Sequence, residues 1–95
     1  MPVDLFSIVE NIHGNDDGYL IGTMKLQVGS ETMWFHCHFV RVTTDEDGAQ
    51  GCDGKSDCAK QWWDAFCLLD DIAYGVLEIP GHDGEWVMVT TPYEK

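Results

Sequence analysis

Two histidines and two cysteines are the residues of this chain best suited to holding a metal ion. His36 and His38 are two positions apart in an alternating stretch, so on a β-strand they share one face. With Cys52 and Cys58 they would supply the donors of a His2Cys2 zinc site. Five residues separate the two cysteines, whereas zinc fingers usually place two to four there. The spacing therefore favours two surface imidazoles and two free thiols, and we predict no bound metal.

Three aspartates in a glycine-rich segment, Asp45, Asp47 and Asp53, suggest calcium as a second ion. An EF-hand loop beginning at Asp45 requires glycine at its sixth position and glutamate at its twelfth. Gln50 and Ser56 occupy those positions. The sequence therefore predicts no EF-hand, and a weak nonspecific divalent site is the alternative.

Motifs of catalysis and of phosphate binding are missing from the sequence. It contains no G-x-S-x-G nucleophile turn, no G-x-x-x-x-G-K-[ST] phosphate loop and no G-x-G-x-x-G dinucleotide motif. We therefore predict a protein that is not an enzyme and that needs no cofactor.

The strongest global signal is charge. Seventeen acidic residues against five basic ones give a net charge of −12. Such a field repels nucleic acids and anionic membranes, so the natural partner is a basic protein surface. The alternative is that the acidity only keeps the protein soluble or reflects a high-salt host.

The carboxylates fall in clusters along the chain: Asp16 and Asp17; Asp45, Glu46, Asp47 and Asp53; Asp57 and Asp64; Asp70 and Asp71; Asp83 and Glu85. Clustered, mostly short acidic side chains can resemble the phosphates of a nucleic acid to a protein that binds phosphates with Lys and Arg. Asp70 and Asp71 also fall near a predicted helix C-terminus, where negative charge opposes the helix dipole. An unfavourable choice of that kind can mark a functional site.

A β-hairpin is the clearest structural element. Residues 19–28 and 31–42 flank Gly29-Ser30, which suits a two-residue turn, and paired residue numbers then sum to 59. This register makes one face continuously apolar and places Tyr19, Trp34, His36 and His38 on the other, which we call the mixed face. The mixed face is either covered by another element or forms a contact surface, and the same two alternatives hold for Trp34.

The remaining elements complete a small α+β domain over residues 1–95. Residues 44–55 suggest a long solvated loop, followed by a helix that begins at Ser56, packs on the sheet and stops near Gly75. Residues 76–79 and 85–91 suggest a second hairpin around a five-residue turn, ended by Pro92. The segment 4–12 fits a helix or a strand, and we favour a strand. The predicted fold is an antiparallel sheet of four or five strands packed against one main helix, a two-layer sandwich.

In size, charge and lack of catalytic motifs the chain is similar to small phage-encoded inhibitors of bacterial defence, such as anti-CRISPR proteins and DNA mimics. The resemblance implies an inhibitor that docks on a basic, nucleic-acid-binding surface of a protein complex.

No long apolar stretch or signal peptide is evident, so we expect the protein to be located in the cytoplasm of a bacterium or of a phage-infected host. The alternative is a small structural or regulatory subunit that dimerises or joins an assembly through the mixed face. The candidate partner-binding residues are Asp16, Asp17, Tyr19, Trp34, His36, His38, Asp45, Glu46, Asp47, Asp53, Asp70 and Asp71.

Overall fold

The computed structural model describes residues 9–16, 18–68 and 77–94, which form a curled antiparallel sheet of six strands and one helix. The elements are β1 (Val9–Asp16), β2 (Tyr19–Val28), β3 (Glu31–Thr44), β4 (Gln50–Cys52), α1 (Asp57–Cys67), β5 (Leu77–Ile79) and β6 (His82–Tyr93). The strand order is β1-β2-β3-β6-β5, and the short β4 also pairs with β3. Every strand pair is antiparallel.

The predicted β2–β3 hairpin is confirmed in its register. Tyr19 pairs with Val40, Val28 pairs with Glu31, and the pairing between them is continuous. Gly29 has a positive φ of 63° in the turn, a conformation that glycine adopts at little cost. Alternation along both strands then separates the apolar face from the mixed face.

The apolar face is the main core, as the register predicts. Its buried side chains come from β2, β3, β5 and β6: Leu20, Met24, Cys37, Phe39, Ile79, Trp86 and Met88. Val9 and Ile12 of β1 pack against this cluster. Because the sheet is curled, its strands bury this face against one another without a contribution from α1.

The helix packs on the mixed face. Ala59 of α1 is buried with Val40 of β3 and Val87 of β6, and Trp62, Trp63 and Phe66 pack around them. The predicted N-cap is confirmed, since Ser56 Oγ accepts a hydrogen bond from Ala59 N at 3.0 Å. The helix ends at Cys67, earlier than predicted, and Gly75 lies outside the described residues.

The segment 44–55 belongs to a hairpin formed by β3 and β4 and is not the long loop that its composition suggests. β3 continues to Thr44, a tight turn follows, and β4 pairs back with Val42, Thr43 and Thr44. Asp45 makes the turn possible because its carboxylate accepts backbone hydrogen bonds from Asp47 N at 2.9 Å and Ala49 N at 2.8 Å. The polar, glycine-rich composition of this segment predicts a loop, but β4 forms by backbone pairing with β3 and needs few apolar side chains.

The last hairpin also differs from the prediction. Ile79 pairs with His82, so its turn consists of Pro80 and Gly81 alone, and Gly81 has a φ of 84°. Residues 83 and 84, which the sequence predicts to lie in the turn, form an irregularity inside β6.

Pro92 does not end the strand. It pairs with Phe35 at a position where its missing N–H would point away from β3, so no ladder hydrogen bond is lost.

The first strand lies later in the chain than predicted. β1 covers Val9–Asp16, so it continues past residue 12 to Asp16, and only two residues connect β1 to β2. The register shifts between Glu10 and His13, where Asn11 has a φ of 58°. Residues 4–8 of the predicted strand lie outside the described residues.

The predicted class, an antiparallel sheet with one helix, is confirmed, but the sheet has six strands instead of four or five. The two-layer description fits only in part, because the 11-residue helix covers one part of the mixed face and the apolar face closes within the curled sheet. The one helix in the described part of the chain is too short and too polar to cross a membrane.

Candidate functional site

His38 is at the centre of a ring cluster where α1 meets the mixed face. The Trp62 ring of α1 stacks on the His38 ring with centroids 3.6 Å apart and planes 10° apart. Tyr19 Oη lies 2.8 Å from His38 Nδ1, and Thr91 Oγ1 lies 3.5 Å from His38 Nε2. The imidazole is therefore held on one face by an indole and at both nitrogens by hydroxyls.

Burial of His38 has an electrostatic consequence. Removal from water, with a smaller repulsion from His36, lowers the pKa of His38 from 6.5 to about 4. His38 is therefore neutral at pH 7, with one nitrogen able to donate and the other to accept.

We expect the stability of the protein to depend on this protonation. In the unfolded chain His38 takes up a proton near pH 6.5, but in the folded protein only near pH 4, so stability is lost as the pH falls through this window. The expected loss, reduced for the partial exposure of the ring, is about 1 to 2 kcal/mol. The groups facing the ring are His36, the Tyr19 and Thr91 hydroxyls and the Trp62 indole.

The measurement is urea unfolding from pH 7 to pH 4 in the presence of a chelator. His38→Asn should remove this part of the pH dependence, while exposed His13, replaced by Asn, should leave the wild-type profile unchanged. An identical slope in wild type and His38→Asn would contradict the assignment.

A second set of rings continues along the mixed face beyond the helix. His36 is exposed and stacks on Tyr93 with centroids 3.9 Å apart and planes 17° apart. The ring centroids of Trp34 and Tyr93 are 6.5 Å apart, and Lys25 Nζ lies 5.4 Å from the Trp34 ring centroid. The mixed face is thus divided, since α1 covers the part near Tyr19 and Val40 while His36 remains accessible to solvent.

Strand register collects carboxylates at one end of the sheet, which we call the acidic end. Asp16 pairs with Tyr19, Tyr19 pairs with Val40, and Val42 pairs with both Cys52 and Glu85. The turn between β3 and β4 extends from the same end. The acidic end consists of Asp45, Glu46, Asp47, Asp53, Asp83 and Glu85, and the backbone of β1 reaches the same end at Asp16.

Close backbone packing joins the β1–β2 connection to the segment after β4. A Cβ on Gly18 would lie 2.9 Å from Gly54 Cα, and Gly18 has a φ of 76°, so both space and backbone conformation favour glycine. Gly18 O also accepts a hydrogen bond from Arg41 N at 2.9 Å, and Arg41 O accepts one from Asp53 N at 3.0 Å. The acidic segments are therefore fixed relative to one another by the sheet.

Arg41 is one of the few cations near the acidic end. Its Nη1 lies 3.6 Å from Asp53 Oδ2, and its guanidinium lies 4.8 Å from the Trp86 ring centroid. This contact neutralises part of the charge of Asp53. The exposed carboxylates of Asp45, Glu46 and Asp47 are consequently the densest group of acids at this end.

The predicted partner-binding residues thus fall into two groups. Tyr19, Trp34, His36 and His38 share the mixed face, whereas Asp45, Glu46, Asp47 and Asp53 belong to the acidic end. For Asp16 the structure describes the backbone position alone, at the end of β1 beside Tyr19. Trp34 and Thr44 are ten residues apart on β3, or roughly 33 Å in an extended strand. The aromatic part of the mixed face around Trp34 and the β3–β4 turn are therefore separate surfaces. Asp17, Asp70 and Asp71 lie outside the described residues.

Trp62, Thr91 and Tyr93 contact the two histidines but are not among the candidate residues that the sequence predicts. The predicted last strand ends at Thr91, so Tyr93 falls beyond it. Thr91 and Tyr93 join the histidines because β6 pairs with β3, which sets His36 beside Thr91 and Trp34 beside Tyr93. The usable signal was the alternation Val87, Val89, Thr91 and Tyr93, which continues past Pro92.

The four residues considered for zinc do not come together. Within residues 9–16, 18–68 and 77–94, no group of three or more His, Cys, Asp or Glu side chains has the arrangement of a metal site. Cys52 Sγ instead accepts a hydrogen bond from Gly54 N at 3.3 Å, and Cys58 is exposed on α1. The carboxylate of Asp45, considered for calcium, caps its own turn.

Comparison with known proteins adds no relative. No protein-family model matches the chain, and no curated protein or solved structure gives a significant match.

Proposed function

We propose that this chain is a non-enzymatic binding protein that docks its acidic end on a basic, nucleic-acid-binding surface of a protein complex in the cytoplasm and blocks that surface. The observation that carries the proposal is the convergence of acids from distant parts of the sequence at one end of one sheet. It agrees with the compositional similarity to phage-encoded inhibitors of the DNA-mimic and anti-CRISPR type.

The rigidity of the acidic end supports this role. Asp45 Oδ1 accepts two backbone hydrogen bonds and the backbone of the turn closes through Gly48 N to Asp45 O at 3.0 Å, so the turn has a defined shape. Fixed charges lose little conformational entropy when a partner binds, which favours affinity. A flexible acidic tail would lack this advantage.

Charge density is the second support. The acidic end carries six described carboxylates, while Arg41 is already engaged with Asp53. Opposite potentials speed the encounter of two proteins and orient them, and buried pairs then slow dissociation. A protein surface rich in Lys and Arg, of the kind that contacts phosphates, is the complementary partner.

The test is capture from a nuclease-treated bacterial lysate on the immobilised protein, followed by elution with either salt or a DNA duplex. The proposal expects a nucleic-acid-binding protein that is released when salt rises from about 50 to 500 mM, and also by the duplex at constant salt. A captured protein that neither salt nor the duplex releases would contradict docking through the acidic end. That result would favour assembly through the mixed face, the alternative function.

A further inference from the structure

His36 and His38 have the geometry of a two-histidine chelate. They are adjacent on one face of β3, with ring centroids 6.4 Å apart and planes 54° apart. Metal–nitrogen bonds to imidazole are about 2.0–2.1 Å long, so an ion shared by the two rings requires side-chain rotations that turn one nitrogen of each ring toward the other. The pair therefore has the spacing for an ion bound by two imidazoles.

The two hydrogen bonds of His38 differ in length. Nδ1 is engaged by the Tyr19 hydroxyl at 2.8 Å, while Nε2 has only the longer contact to Thr91 Oγ1 at 3.5 Å, which a metal ion at Nε2 would displace. When Nδ1–H donates to Tyr19, Nε2 carries the lone pair that a metal requires. A hydrogen bond from the second ring nitrogen is the usual way in which proteins orient a metal-binding histidine.

Stacking restrains both rings and leaves the pair accessible. Trp62 packs on His38 at 3.6 Å and Tyr93 packs on His36 at 3.9 Å, so neither imidazole rotates freely. His36 is exposed, which allows an ion to enter from solvent.

We propose that His36 and His38 together bind one borderline divalent transition-metal ion, such as Ni²⁺ or Cu²⁺, through one nitrogen of each ring. Imidazole donors select these ions over Mg²⁺ and Ca²⁺, which prefer oxygen. In the described part of the chain no third His, Cys, Asp or Glu completes the site. The other coordination positions are open to water or to a donor from a binding partner.

The experiment is calorimetric titration of the protein with Ni²⁺ at pH 7, in a background where exposed Cys58 and Cys67 are replaced by Ser to remove thiol binding. We expect one Ni²⁺ per chain, bound at least tenfold more weakly by His36→Gln. His36 is exposed, so this variant should fold normally. The matched controls His13→Gln and His82→Gln remove an exposed histidine elsewhere and should bind Ni²⁺ as the background protein does.

Tyr19→Phe supplies a second readout, because it removes the hydroxyl that orients His38 without removing a ligand. It should weaken Ni²⁺ binding severalfold and leave the stoichiometry at one. Saturable binding that His36→Gln leaves unchanged, or that His13→Gln weakens equally, would overturn the proposal, as would the absence of saturable Ni²⁺ binding.

Discussion

Neutralising the three carboxylates of the β3–β4 turn, by Asp45→Asn, Glu46→Gln and Asp47→Asn together, is expected to weaken partner binding by about tenfold to a hundredfold at low salt. The loss arises because three fixed charges at the acidic end no longer attract a basic surface. Asn at position 45 keeps a side-chain oxygen for the turn hydrogen bonds, so the fold should persist. Surface plasmon resonance against the captured partner measures the change.

A triple variant at sites away from the acidic end is the matched control. Glu10→Gln, Glu31→Gln and Glu94→Gln change the net charge by the same amount at three exposed sites. This variant should bind within about twofold of wild type in about 0.1 M salt, because its altered charges lie farther from the acidic end than the Debye length of about 10 Å. Equal weakening of both triple variants would show that net charge alone, and not its placement, drives binding.

Replacing Phe39 with Ala is expected to lower the free energy of unfolding by about 3 to 5 kcal/mol. Phe39 is fully buried on the apolar face, between its strand partners Leu20 and Met88. Removing the ring leaves a cavity that the paired backbones of three strands cannot close. Urea denaturation followed by circular dichroism measures the loss.

Two further variants keep this result interpretable if Phe39→Ala does not fold. Phe39→Leu should lose only about 1 kcal/mol and remain measurable. Phe35→Ala removes the same side chain from a partly buried position on the same face, and should cost about half as much as Phe39→Ala or less. Equal losses at positions 35 and 39 would be inconsistent with the burial described for the core.

Local patterns predicted the elements that depend on neighbouring residues. The register of β2 with β3 follows from the two-residue turn and from alternation, since any slip of one residue would expose Phe39 and Leu20. The start of α1 follows from Ser56, whose hydroxyl satisfies a free backbone N–H of the first helical turn. The mixed face and its four site residues also followed, because alternation fixes which side chains share a face.

Short or polar elements are harder to predict from local sequence patterns. β4 has three residues and no apolar run, so only its pairing with the end of β3 defines it. The bulge in β6 made Asp83 and Gly84 resemble a turn, although the true turn is Pro80-Gly81. In both places the backbone pairing of a short hairpin outweighed local composition.

Local sequence patterns are thus sufficient to define a charged α+β chain with one hairpin of known register, a capped helix and a set of clustered acids. They do not define that β6 lies beside β3, that α1 covers the part of the mixed face around His38, or that the acids of β6 and of the β3–β4 turn share one end. These arrangements depend on contacts between residues far apart in the chain. Several such pairings satisfy the same local pattern, and the choice among them depends on the burial of both sheet faces at once.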